Sequence, residues 1–101
     1  MLKVPSIEAD VKMAEGAKPF SAGHVLNLAS ASSGSRLPVR VLDALSSRKS
    51  HQIDPGDDAY VVFLLIDHPA VSYHELKNGA SFNIVEGDVV VGTGVVHARV
   101  D

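Results

Sequence analysis

Five histidines are the first residues to weigh for chemistry. His68 and His74 lie six apart across Pro69, which is not the i, i+4 spacing that puts two imidazoles on one helix face. His24, His51 and His97 fall on separate segments, so any metal site would have to be assembled by folding; surface and turn positions are the expectation, with no metal. The chain has no cysteine, which excludes a thiolate nucleophile, a disulfide and a cysteine-based zinc site. Ser32, Ser33 and Ser35, with Asp67 and His68, supply the groups of a hydrolase triad. No Gly-x-Ser-x-Gly elbow orders them, and the serines belong to a small-residue loop, so no catalytic residue is expected. Gly92-Thr93-Gly94 sits inside a strand pattern with no helix after it. It reads as close backbone packing or a barrel bend, not as a nucleotide loop, and no cofactor is expected.

Arg36, Arg40, Arg48 and Lys49 form the only concentration of basic residues. They could contact RNA phosphates, or they could be solubilising charges on a strand edge. The net charge of −3 argues against a large nucleic-acid footprint, which needs a basic face. No apolar leader follows Met1, and the longest apolar run, Ala59 to Ile66, is far too short to span a bilayer as a helix. With the missing cysteine, these features lead us to expect a cytoplasmic protein without a membrane segment.

The elements that must position these groups are strands. Residues 1–101 read as a single domain, whose 46% hydrophobic content is enough for one core. Ile7, Ala9, Val11 and Met13 alternate with Glu8, Asp10 and Lys12, the pattern of a half-buried antiparallel strand. His24–Ala31 and Leu37–Leu45 follow, with Pro38 suited to a strand start or edge. Asp54-Pro55-Gly56-Asp57 is a turn in which proline presets φ and glycine accepts a positive one. The run from Ala59 to Ile66 is apolar on both faces, which implies that both are covered. Val71 to Gly79 is a connector with room for one helical turn. Phe82–Val85 and Val89–Val96 flank Glu86-Gly87-Asp88, the signature of a closing hairpin. Six strands without a long helix make an all-β antiparallel barrel or sandwich.

The order of these motifs resembles the third, C-terminal domain of elongation factor Tu along almost the whole chain. Ile7-Glu8-Ala9-Asp10-Val11 resembles that family's opening strand, and Pro19-Phe20 with Gly23 its Pro-Phe-Phe-x-Gly-Tyr segment. Pro55-Gly56-Asp57 matches its Pro-Gly-Asp turn. Leu65-Ile66 with His68-Pro69 is similar to its Leu-Ile-His-Pro, with one residue inserted. The final hairpin is similar to Phe-Ala-Ile-Arg-Glu-Gly-Gly-Arg-Thr-Val-Gly-Ala-Gly-Val-Val. The resemblance implies a closed six-stranded antiparallel β-barrel. In that family the domain contacts tRNA and an exchange factor and packs on a GTPase domain. No Gly-x-x-x-x-Gly-Lys-Ser/Thr loop occurs here, so no GTP binding is expected.

The departures carry the functional expectation. Val85 and Val89 stand where the family has arginines, and His24-Val25-Leu26 replaces its Tyr-Arg-Pro, so three candidate phosphate contacts are gone. Closure through Glu86-Gly87-Asp88 sets Val85 opposite Val89 and Ile84 opposite Val90. It points Phe82, Ile84, Val90, Gly92 and Gly94 inward, and Asn83, Val85, Val89 and Val91 outward. On the preceding strand, Tyr60 and Leu64 take outer positions. An outer face carrying Tyr60, Leu64, Val85, Val89 and Val91 needs a cover. The reading is a non-catalytic protein-interaction module that self-associates, most simply as a two-fold dimer through the final hairpin. The alternative is a tRNA- or RNA-contacting translation accessory protein that uses Arg36, Arg40, Arg48 and Lys49.

Overall fold

The computed structural model describes residues 5–16, 20–31, 34–46, 52–54, 56–67 and 73–100. They form six strands: β1 (Ser6–Met13), β2 (Val25–Ser30), β3 (Arg36–Ser46), β4 (Asp58–Leu65), β5 (Ser81–Glu86) and β6 (Val89–Val100). The sheet runs β1-β4-β3-β2-β5-β6 and closes on itself, because β6 pairs with β1; every pairing is antiparallel. The expected closed barrel is therefore the observed fold. No helix occurs among the described residues, and the described part of the connector, 73–80, is made of turns.

The alternation of β1 decides which side is inside. Ile7, Ala9, Val11 and Met13 are buried, while Asp10 and Lys12 are exposed. On the neighbouring β4, Phe63, Val61 and Ala59 stand beside Ile7, Ala9 and Val11 in register, and Phe63 and Phe82 make an edge-to-face pair 6.2 Å apart. Each of these buried side chains larger than alanine contributes roughly 1.5–3 kcal/mol relative to exposure. The outer side of β4 is not covered as its sequence suggests: Tyr60 is 38% exposed, and Val62 and Leu64 are half-buried.

Two loop segments close the barrel. Phe20 and Ile53 exchange backbone hydrogen bonds and are both buried. Tyr73 and Leu76 are buried from the connector, and the Tyr73 hydroxyl donates to the Pro38 carbonyl (2.7 Å) and accepts from the Asp67 N–H (3.1 Å).

Three register shifts interrupt the ladders, leaving Leu42, His97 and Val91 as extra residues on their strands. A bulge adds one unpaired residue, bends the strand and sharpens its twist, which a small barrel needs in order to close.

The last bulge corrects the expected hairpin. The turn is a two-residue loop, with Glu86 opposite Val89 and Val85 opposite Val90. Gly87, its first residue, has φ 62°, the positive value that the twist-matched hairpin turns require. The extra residue then sets Ile84 opposite Gly92 and Phe82 opposite Gly94. Close packing demands those glycines. A β-carbon at Gly92 would stand 2.9 Å from the Lys12 carbonyl oxygen and the Met13 sulfur, and one at Gly94 2.5 Å from Phe82 Cζ. In consequence Val90 points outward and Val91 inward, the reverse of the alternation expected from sequence.

Candidate interaction surface

The residues singled out for chemistry are dispersed. His24 Nε2 lies 3.1 Å from Glu86 Oε1, His97 meets the Tyr60 ring edge-on at 6.1 Å, and His74 is exposed. His51, His68, Ser32 and Ser33 lie outside the described residues. Among the described residues no three histidines or carboxylates are placed to hold a metal ion.

The basic group is divided as well. Arg36 donates to the Gly87 carbonyl at 2.8 Å and comes within 3.4 Å of Asp88 Oδ1, so it ties β3 to the hairpin turn. Arg40 faces outward, with Val25 and Leu64 as its register partners. Arg48 and Lys49 lie outside the described residues.

Of the five apolar residues expected on the outer face, the structure keeps three there. Val89 is 63% exposed at the hairpin tip, and Tyr60 and the half-buried Leu64 share the outer side of β4. Val85 and Val91 are corrections, at 4% and 8% exposure. The bulge turns Val91 into the core. Val85 keeps the outward parity of β5 but is buried between Asn27 and Val90 in register, beside the turn that Arg36 ties down.

Sequence reasoning missed Val90, Val95 and Leu45, all substantially exposed. With them two apolar groupings form on the outer surface, while Val25, Leu42 and Ile66 are exposed outside both. The first is the hairpin tip, Val89 and Val90. Beside it the Ala14–Gly16 turn leaves a hollow of about 500 Å³, whose lining includes Val89, Val90 and Val91. The second is a cross-strand row, Leu45–Tyr60–Asp10–Val95–Ser81, contributed in register by β3, β4, β1, β6 and β5. An open groove of about 810 Å³ lies over that row. Val95 was legible in principle, because it alternates with the glycine at 94. Leu45 was not, because the bulge at Leu42 shifts the parity of β3.

Tyr60 stands between Leu45 and Asp10 in that row. Burial first, then the neighbouring Glu8 and Asp10 carboxylates, push its hydroxyl above the ordinary value of 10.0. The phenol therefore stays protonated as a donor, with its ring edge against His97.

Compared with known proteins, the chain matches no protein-family model and no curated protein. No helix of the described residues is long and apolar enough to cross a membrane.

Proposed function

We propose that this chain is a non-catalytic protein-interaction module, built on a barrel similar to the third domain of elongation factor Tu, that pairs with a second copy of itself through the final hairpin. The carrying observation is that Val89 and Val90 stand exposed and line a hollow of about 500 Å³. A two-fold axis at this apolar surface would set the same valines of both copies against each other, as an isologous interface requires. Full burial of an exposed side chain of this class contributes roughly 1.5–3 kcal/mol; Val89 and Val90, at 63% and 52% exposure, would each contribute part of that, four times across two copies. A closed barrel has no free strand edge, so association has to run through side chains. The absence of cysteine supports a cytoplasmic setting.

The RNA-contacting alternative has less support. Arg36 is already engaged by the hairpin turn, and Arg40 sits between apolar neighbours.

Because the chain contains no cysteine, the interface can be located by cross-linking. Chains carrying Val90→Cys, mixed with chains carrying Ala14→Cys, should oxidise to a mixed covalent dimer faster than chains carrying Val90→Cys mixed with chains carrying Ser35→Cys. Equal rates for the two mixtures would place the contact elsewhere.

A further inference from the structure

The groove over Tyr60 has different chemistry from the hairpin hollow. Its apolar row is interrupted by Asp10 and flanked by the Glu8 and Asp58 carboxylates. The lining sets two carboxylates, Asp10 and Asp58, against one cation, Lys12, and Glu8 lies beside Tyr60, so the groove is net negative. A second copy would bring the same carboxylates against these and be repelled. Nucleic acid and anionic lipid are disfavoured for the same reason. The chemistry that fits is a positively charged segment with apolar side chains between its charges.

We propose that this groove is a second docking surface, which takes a cationic, apolar-anchored peptide segment of a partner protein. Leu45, Tyr60 and Val95 supply the apolar floor and Asp10 the central charge. Tyr60 is the anchor: its ring edge already rests on His97 before a partner arrives, which lowers the ordering cost of binding. A lysine or arginine over that ring would also gain a cation–π contact. This surface is independent of self-pairing, because none of its lining residues belongs to the hairpin tip.

The test uses the whole chain and two fluorescein-labelled peptides, Arg-Leu-Arg-Leu-Arg and Glu-Leu-Glu-Leu-Glu, followed by fluorescence anisotropy at low salt. The arginine peptide should bind saturably and the glutamate peptide should not. Asp10→Lys should weaken binding by about tenfold or more, as loss and reversal of a facing charge does. Tyr60→Ala should weaken it comparably, and Val89→Arg should leave it unchanged, which separates failure of this inference from failure of the self-pairing. Asp10 is exposed, so Asp10→Lys should keep the strand circular-dichroism signal; Asp10→Asn is the milder companion and should weaken binding less. Equal binding of the two peptides, no saturable binding, or unchanged affinity in a folded Asp10→Lys chain would each overturn the proposal.

Discussion

The ring of Phe82 lies directly against the backbone of Gly94, its partner in register, so that a β-carbon there would stand 2.5 Å from Cζ and 2.8 Å from the Asp10 carbonyl oxygen. The ring could yield only by leaving the Phe63 edge, and the carbonyl belongs to the β1–β6 ladder. Gly94→Ala should therefore cost about 1–3 kcal/mol or more, as overpacking of a core does. Urea unfolding followed by circular dichroism checks this, and an unchanged midpoint would contradict the packing described.

Tyr73→Phe should destabilise the barrel by about 1–3 kcal/mol, because it removes the donor to the Pro38 carbonyl and the acceptor of the Asp67 N–H. The same unfolding measurement applies. A loss well below that range would mean that water replaces both bonds.

Alkaline pH should weaken the fold. Tyr60 is raised above 10.0 by burial and by the Glu8 and Asp10 carboxylates, and Tyr73 by burial, partly offset by the Asp67 backbone hydrogen bond. When the folded-state value lies above the unfolded one, the native state holds its proton longer. This contribution is complete below pH 10 and lost as pH rises through the folded values. The chain has no tryptophan and two tyrosines, so phenolate absorbance follows them directly, and Tyr73→Phe isolates Tyr60. Ionisation of Tyr60 at or below pH 10 would contradict the environment assigned to it.

The barrel was legible in the sequence because its signals are local. The alternation from Ile7 to Met13 gives β1 its bounds and its buried face, and the apolar run after Asp58 gives β4. The interaction surface was legible only in part. A period of two cannot reveal an inserted residue, and the bulge residue Val91 reverses the sides of Val90 and Val91. Placing the turn one residue too wide had a similar effect, since Glu86 pairs with Val89 and leaves Val85 beside Val90. The groove over Tyr60 draws on five strands, so it depends on their register, which no local pattern contains.

Arg36→Ala is expected to change stability by no more than about 1 kcal/mol, because its pair with Asp88 is largely exposed. It should nonetheless loosen the turn, through loss of the bond to the Gly87 carbonyl. Faster amide exchange at Gly87 to Val90, with an unchanged global midpoint, is the expected signature. Unchanged exchange would show that the turn holds itself.

Self-pairing through the hairpin is tested most directly by the mass of the protein in solution as its concentration rises. Light scattering should give twice the chain mass for the wild type, and a single chain mass for Val89→Arg, with identical strand circular dichroism. A wild-type chain that stays monomeric at high concentration, or a Val89→Arg chain that stays dimeric, would contradict pairing through this hairpin.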